Sequence, residues 1–285
     1  MKVSQGFLLE YVCVIMSKIT WIIEDCFSSD TNPLLEEVAN LNDEIVILDC
    51  PAYMYQDEIN KIPNDKIVFG YCSLGLAKFI RTRFNPGVFY NPTAYDCTSY
   101  YPAFGNFLLN STYIMLPYGE LIRKKEFLYN TLGQDNTIFV RPNGGGKTFT
   151  GELIYKEKYD DRVPHLGYGE IKQEELVVVS EPRNIINEWR LVIKGNEIVA
   201  SSLYKRNHLH IMEEGCPEKL KNFVIQNVLP LYNPDPIWIL DMCETSSGYY
   251  VLEIGCFSCA GLYYCNRKDV VLKVREAILK EHECE

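Results

Sequence analysis

The stretch Phe139-Val-Arg-Pro-Asn-Gly-Gly-Gly-Lys-Thr-Phe149 decides between two fold classes, because it ends like a P-loop without being one. A P-loop needs a glycine five positions before its closing Gly-Lys, and that position here is Arg141. A P-loop also opens into a helix, whereas residues 148–155 are rich in β-branched and aromatic side chains that favour a strand. The sequence therefore predicts a strand, a flexible glycine loop and a second strand.

The glycine loop itself has the chemistry of an anion-binding site. Gly144, Gly145 and Gly146 carry no side chains, so their backbone N–H groups can approach an anion closely. Arg141 and Lys147 place a cation at each end of the loop. A bound phosphate is one interpretation, and an ordinary hairpin tip with solvated charges is the other.

The composition narrows the class of protein. The chain has 285 residues, of which 47% are hydrophobic, and a net charge of −10. This length allows one to three domains. The sequence has no run of basic residues such as a nucleic-acid-binding protein would carry, so nucleic acid is not an expected partner. No apolar run reaches the length of a membrane span, so a membrane is not expected as a partner either.

The eleven cysteines are scattered and odd in number, which indicates reduced thiols and not a disulfide framework. We therefore predict a cytoplasmic protein, in the host cytoplasm if the chain is viral. Cys256-Phe-Ser-Cys259 is a CxxC motif, and packed thiols explain it better than a zinc site, for which further ligands would be needed.

The order of strand and helix signals divides the chain. Residues 1–15 read as an extension outside the fold, and residues 16–112 alternate strand and helix as in a small α/β domain with a parallel sheet. From residue 113 to residue 285 the signals change to hairpins flanked by helices, which predicts α+β packing.

A polar strand face is predicted within residues 188–205. Gly195-Asn196 fits a two-residue hairpin turn, which pairs Arg190 with Ser201. Alternation along the two strands then gathers four polar side chains on one face: Glu188, Arg190, Ser201 and Lys205. This face is either a solvated outer surface or the floor of a ligand site.

A pair of carboxylates is predicted on the two strands that follow. Asp241 and Glu253 are symmetric about Ser247, so a turn centred there makes them face each other across adjacent strands. Two unpaired carboxylates at that distance repel, and a divalent cation such as Mg²⁺ removes the conflict. The alternative is a buried carboxylate pair that an arginine or lysine holds together.

In their order and spacing, these motifs resemble the ATP-grasp superfamily, and most closely its R-two-K (R2K) clade of phage and bacterial proteins. Ser180-Glu-Pro-Arg-Asn-Ile-Ile-Asn-Glu188 looks like the hinge of that family, with Glu181 and Glu188 seven residues apart. Glu253-Ile-Gly255 resembles its Glu-x-Asn ending, except that glycine replaces asparagine.

The resemblance implies an α+β ATP-grasp fold in which two subdomains, residues 113–182 and 183–285, enclose ATP, preceded by the small α/β domain. It assigns ATP binding to the following residues: Arg141, Gly144, Gly145, Gly146, Lys147, Glu181 and Glu188. It assigns the metal, Mg²⁺, to Asp241 and Glu253, and catalysis to Arg141, Arg190 and Lys205.

The activity implied by the resemblance is ATP-dependent ligation of a carboxylate to an amine or another nucleophile. It proceeds through an acylphosphate and forms ADP, with small molecules or peptides as the carboxylate and amine substrates. Because Gly255 offers no side-chain oxygen, an ATP-binding module with little or no turnover is the alternative.

Overall fold

The computed structural model describes residues 17–25, 28–49, 56–146, 148–167 and 169–283. The predicted extension at residues 1–15 and the predicted phosphate ligand Lys147 lie outside the described residues. None of the described helices is both long enough and apolar enough to cross a bilayer.

The first sheet is parallel and has three strands, as the sequence predicts. Its strands are β1 (Ile19–Glu24), β2 (Glu44–Leu48) and β3 (Ile67–Tyr71), in the order β2-β1-β3. The helices of this part are α1 (Ser28–Asn40), α2 (Gln56–Asn60) and α3 (Leu74–Arg81). All six residues of β1 are buried, which is typical of a central strand of a parallel sheet.

The second sheet is antiparallel and has four strands. A helix, α4 (Cys97–Phe104), precedes it. The strands are β4 (Tyr113–Pro117), β5 (Thr137–Pro142), β6 (Glu152–Tyr155) and β7 (Leu176–Ser180), in the order β4-β7-β5-β6. The associated helices are α5 (Tyr118–Arg123), α6 (Lys125–Leu132) and the short α7 (Tyr159–Arg162).

The third sheet is antiparallel and has five strands, in the order β10-β9-β8-β11-β12. They are β8 (Asn187–Lys194), β9 (Glu197–Arg206), β10 (Leu209–Glu214), β11 (Ile237–Thr245) and β12 (Gly248–Cys256). Helix α8 (Glu218–Phe223), continued by a π-helical turn (Val224–Val228), lies between β10 and β11 in the chain, and α9 (Arg267–Glu283) follows β12.

Helix α9 joins the first and third sheets. Its buried residues recur with helical spacing: Val270, Val271, Val274, Ala277 and Ile278. They share one apolar core with residues of β1, β3, β8 and β11. Arg275 on α9 also binds Asp43 beside β2, with 3.1 Å between Nε and Oδ2. Helix α9 therefore covers one part of the third sheet. The charged side chains of the candidate site, described below, lie on the part of the sheet beside α9.

Residues 118–129 form two helices and not one, because Lys124 leaves the helical region with φ −106° and ψ 27°. Strand β4 is short and ends in a proline, and β10 is an edge strand whose side chains are mostly exposed and do not alternate, so neither gives a clear strand signal in the sequence.

The predicted pairing of Arg190 with Ser201 is wrong. Bulges in the β8–β9 hairpin shift the register, so Arg190 pairs with Ser202 and Ser201 pairs with Leu191. Since opposite residues share a sheet face, Ser201 lies on the face opposite to Arg190.

Candidate functional site

A row of charged side chains crosses the third sheet on the face beside α9. Arg190 on β8 pairs in register with Asp241 on β11, and Asp241 pairs with Glu253 on β12. Because opposite residues of an antiparallel pair point to the same face, all three side chains emerge together. The structure thus confirms the predicted pairing of the two carboxylates.

Arg190 and Asp241 form a buried, two-point ion pair. Arg190 Nε donates to Asp241 Oδ1 at 2.9 Å, and Nη2 donates to Oδ2 at 2.7 Å. The side chains are only 11% and 3% exposed, respectively. Burial by itself would lower the pKa of Arg190, but the charge and hydrogen bonds of Asp241 outweigh it and raise the pKa above its usual value. The guanidinium is therefore permanently charged and rigidly held.

Arg141 connects the second sheet to the third. It lies on β5, and its Nη2 donates to Glu253 Oε2 at 3.1 Å. Its side chain is 16% exposed, yet its buried Nε has no hydrogen-bond partner among the residues that the structure describes. A buried charged donor without an acceptor is costly, and an acceptor supplied by a ligand or an ordered water would remove that cost.

Glu188 and Lys205 form a second pair at the other end of the row. Lys205 Nζ lies 3.0 Å from Glu188 Oε1, and the Tyr204 hydroxyl donates to Glu188 Oε2 at 2.8 Å. Burial, with the charges of Asp241 and Glu188, raises the pKa of Tyr204 well above its usual value. Tyr204 therefore remains a neutral phenol that can donate this hydrogen bond.

Two tyrosines that the sequence reading did not select support Arg190. The rings of Tyr204 and Tyr263 stack at 4.6 Å, with 9° between their planes, and the Arg190 guanidinium lies 4.7 Å from the Tyr263 ring centroid. Tyr204 precedes Lys205, which the sequence analysis does assign to the site. The bulge that turns Tyr204 toward Glu188 cannot be recognised from the sequence. Tyr263 has a φ of 51°, and nothing in the sequence indicates this position.

The glycine loop runs directly from β5 and is held by the start of α4. The Asn143 backbone and side-chain oxygens accept hydrogen bonds from the N–H groups of Cys97 and Thr98 at 2.8 and 2.9 Å. A Cβ at position 145 would lie 3.0 Å from Tyr95 Cβ, so this close approach favours glycine there. Asp96 Oδ1 lies 3.6 Å from where a Cβ of Gly144 would be, so a carboxylate already stands beside the loop.

The predicted hinge carries the chain from the second sheet to the third, between the end of β7 and the start of β8. Glu181 lies at its beginning and contacts Arg183 at 3.0 Å and Gln134 Nε2 at 3.1 Å. Glu188, the last residue of the hinge, lies in β8 as part of the charged row, so the two glutamates have different surroundings.

The structure thus brings together six predicted residues in one network: Arg141, Glu188, Arg190, Lys205, Asp241 and Glu253. Gly144, Gly145 and Gly146 follow β5, the strand that carries Arg141, and Glu181 lies apart at the hinge. Arginines hold both predicted metal carboxylates, which is the arrangement that the sequence left open as the alternative to a metal.

Comparison of the sequence and the structure with known proteins identifies the family of this chain. Residues 122–273 match the family model of the ATP-grasp domain, R2K clade family 2. The chain belongs to this ATP-grasp family. A sequence search of curated proteins found no significant match.

Solved ATP-grasp structures have the same fold over nearly the whole chain. D-cycloserine synthetase DcsG aligns with a TM-score of 0.63 and 12% identity, covering 91% of this chain and 99% of that one. D-alanine–D-alanine ligase from Bacillus anthracis, complexed with ATP, gives 0.62 and 16%, covering 94% and 100%. A RiPP-associated ATP-grasp ligase from Chryseobacterium gregarium, in complex with ADP and peptides, gives 0.56 and 10%, covering 93% and 97%.

Proposed function

We propose that this ATP-grasp protein is an ATP-dependent ligase that joins a carboxylate to an amine through an acylphosphate and releases ADP. The observation that carries the proposal is the row Arg141–Glu253–Asp241–Arg190, which links the second sheet to the third. It ends in an arginine nitrogen that has no hydrogen-bond partner within the described part of the chain. Family membership and structural neighbours named as ligases, among them complexes with ATP and ADP, support it.

The charges of the site balance internally, which explains how a highly charged ligand can enter. Three cations, Arg141, Arg190 and Lys205, each pair with one carboxylate. Phosphate oxygens of ATP are alternative acceptors for the same guanidinium and ammonium groups, and arginine is suited to two-point binding of phosphate. Binding would therefore take the cations from their carboxylates, and Mg²⁺ would have to neutralise Asp241 and Glu253 in their place.

The two carboxylates suit Mg²⁺, since this ion is commonly held by one or two carboxylates together with substrate phosphates. Asp241 and Glu253 are the residues that would hold it. Among the described residues, no group of three or more His, Cys, Asp or Glu side chains could hold a metal, so phosphate oxygens and water would supply the remaining ligands. A bound Mg²⁺ would supply electrostatic stabilisation of the phosphoryl group in transit.

The proposed reaction has two steps and needs no nucleophilic side chain. A carboxylate oxygen of the substrate attacks the γ-phosphorus of ATP, and ADP leaves. An amine then attacks the acyl carbon, and inorganic phosphate leaves as the amide forms. Arg141, with Lys147 of the glycine loop, would neutralise the phosphates, while Arg190 and Lys205 would hold the acylphosphate.

The hinge would bind the nucleoside part of ATP. The backbone beside Glu181 would meet adenine, and Glu188 would hold the ribose. Glu188 binds Lys205 through Oε1 and Tyr204 through Oε2, but an ionised carboxylate has about four acceptor sites. It therefore retains capacity for a ribose hydroxyl.

Glu188→Ala is expected to weaken ATP binding about tenfold to a hundredfold, because a charge-assisted hydrogen bond of about 1.5–3 kcal/mol is lost. Binding of inorganic tripolyphosphate, which has no ribose, should weaken less. Calorimetry with both ligands measures the difference, and Glu213→Ala, at an exposed ion pair on β10, is the matched control. Equal losses for the two ligands would remove the ribose assignment.

Gly255→Asn is expected to fold normally and to lower the magnesium concentration needed for ATP turnover. A Cβ at this position would lie 3.9 Å from Ile239 Cβ, an ordinary contact, and the glycine does not need a positive φ. Gly255→Ala, which adds the Cβ without an oxygen, is the control and should leave the magnesium requirement unchanged. If asparagine and alanine behave alike, a missing metal ligand is not what limits the wild type.

The proposal as a whole is tested by ADP release that depends on both Mg²⁺ and an added carboxylic acid. ATP binding without ADP release for any acid would favour the alternative, an ATP-binding module with little or no turnover.

A further inference from the structure

A rigid loop leads into β11 and presents a carboxylate. In Asn233-Pro-Asp-Pro-Ile237 two prolines flank Asp235, and each restricts the backbone beside it. Trp238 Nε1 donates to Asn233 Oδ1 at 2.9 Å, and Trp238 is fully buried in the core. The position of Asp235 is therefore set by the third sheet.

The Asp235 carboxylate binds the chain segment that leads into α4. Its Oδ2 accepts hydrogen bonds from the Tyr95 hydroxyl at 2.6 Å and from the Asn91 N–H at 3.0 Å. Three residues before Asp235, the Tyr232 hydroxyl donates to the Ala94 backbone oxygen at 2.8 Å. These three hydrogen bonds, which we call the Asp235 clamp, tie the segment before α4 to the third sheet.

The segment held by the Asp235 clamp also supports the glycine loop. Tyr95 is 3% exposed, and its Cβ lies 3.0 Å from where a Cβ of Gly145 would be, which is closer than an ordinary contact. The Cys97 and Thr98 N–H groups, which follow in the same segment, donate to Asn143 at the start of the loop. A shift of Tyr95 would therefore shift the glycine loop.

The Asp235 clamp joins two parts of the cleft that belong to different sheets. The glycine loop continues from β5 of the second sheet, whereas β11 of the third sheet begins two residues after Asp235 and carries Asp241. The same stretch of chain therefore anchors the loop and supplies a carboxylate of the charged row. Because phosphoryl transfer depends on how the phosphates are placed, this connection bears on catalysis as well as on binding.

We propose that Asp235 is a positioning residue, which holds the glycine loop, through Tyr95, where the loop binds the phosphates of ATP. The hold on the loop stands on the hydrogen bonds above, and the role in phosphate binding rests on the proposed ATP-dependent function. Both bonds of Asp235 end on one oxygen, and the side-chain oxygen of asparagine has the two acceptor sites that they need. Asp235→Asn should therefore preserve the clamp, and Asp235→Ala should break it.

Hydrogen–deuterium exchange of the full chain without ligand measures the hold on the loop. In Asp235→Ala and Tyr95→Phe, a peptide that contains Gly144 to Gly146 should exchange faster than in the wild type, while a peptide of β1 should be unchanged. Asp235→Asn should restore slow exchange. The matched control is Tyr129→Phe, which loses a buried hydroxyl that donates to the Ile154 oxygen at 2.8 Å and should leave the glycine-loop peptide unchanged.

Two results of this experiment would overturn the proposal. One is wild-type exchange of the glycine-loop peptide in both Asp235→Ala and Tyr95→Phe. The other is equally faster exchange of the glycine-loop and β1 peptides in both variants, because Asp235 would then stabilise the whole fold and not the loop. Tyr95→Phe keeps the ring beside the loop, so it tests the hydrogen bond even if Asp235→Ala folds poorly.

Calorimetry of ATP, inorganic tripolyphosphate and adenosine, each with Mg²⁺, measures the role in phosphate binding. Asp235→Ala should weaken ATP and tripolyphosphate about tenfold, as expected if the loop occupies its binding position about a tenth of the time, and should leave adenosine unchanged. Asp235→Asn should recover most of the lost affinity. An equal loss for adenosine, or no loss for tripolyphosphate, would overturn the role in phosphate binding. If the wild type binds no ATP while Asp235→Ala still frees the loop, the hold on the loop stands and the proposed ATP-dependent function is what fails.

Discussion

Replacing Arg190 by methionine is expected to destabilise the protein by about 3–5 kcal/mol, because it leaves the Asp241 carboxylate buried without its partner. Asp241 is 3% exposed and receives two hydrogen bonds from Arg190, so water cannot replace the guanidinium. Urea unfolding followed by circular dichroism measures the loss. The loss should shrink as the pH falls, since protonation removes the unpaired charge.

Two variants control this experiment. Arg206→Met removes an arginine from the exposed Arg206–Glu213 pair on the neighbouring strands, whose side chains are 48% and 54% exposed, and should cost less than about 1 kcal/mol. The double variant Arg190→Met/Asp241→Leu removes both buried charges and should recover much of the stability. If Arg190→Met lowers the free energy of unfolding no more than Arg206→Met does, the buried Arg190–Asp241 pair does not stabilise the fold as proposed.

Replacing Arg141 by methionine is expected to reduce ATP turnover about a hundredfold to a thousandfold, the usual effect of removing one donor that stabilises transition-state charge. Stability should change less than in Arg190→Met, because the Glu253 side chain is 29% exposed and water can reach it. Arg141→Lys keeps the charge but loses the planar donor fork, so only part of the activity should return.

The measurement is kcat/KM for ATP beside the melting temperature of each variant. Arg162→Met is the matched control, since Arg162 lies near the same sheet but pairs with Glu152 at the surface. Near wild-type turnover in Arg141→Met would show that the arginine only holds the two sheets together.

The carboxylate pair shows what the sequence can predict and why. A turn centred on Ser247 predicts that Asp241 pairs with Glu253, and these residues do face each other. The actual turn is Ser246–Ser247, since Thr245 pairs with Gly248, and an irregularity between Asp241 and Met242 restores the expected register. Regular pairing from the actual turn would place Leu252 opposite Asp241, so the prediction is right because the misplaced turn centre and the unpredicted bulge offset each other.

The hairpin of β8 and β9 shows the opposite outcome. A regular two-residue turn predicts Arg190 opposite Ser201, but the bulges place Ser202 there and bring Tyr204 to Glu188. Bulges depend on packing between sheets and helices, which a period-two pattern in one strand does not encode.

Contacts between distant parts of the chain also could not be predicted from the sequence. The Arg141–Glu253 bond joins residues 112 positions apart, and the ring of Tyr263 reaches Arg190 from the segment after β12. The sequence indicated that Arg141 and Glu253 belong to one site through a family resemblance, but not that they contact each other. Their contact follows from how the second and third sheets are placed.

Hydroxylamine trapping tests most directly whether the cleft makes an acylphosphate from ATP and a carboxylate. Hydroxylamine replaces the unknown amine and converts any acylphosphate to a hydroxamate, so only the acid has to be found. Reduced protein, ATP and Mg²⁺ are incubated with hydroxylamine and single acids from a panel of amino acids and peptides. We predict hydroxamate and ADP in equal amounts for at least one acid, and strongly reduced amounts with Arg141→Met. ATP that binds but yields neither ADP nor hydroxamate with any acid would contradict the claim.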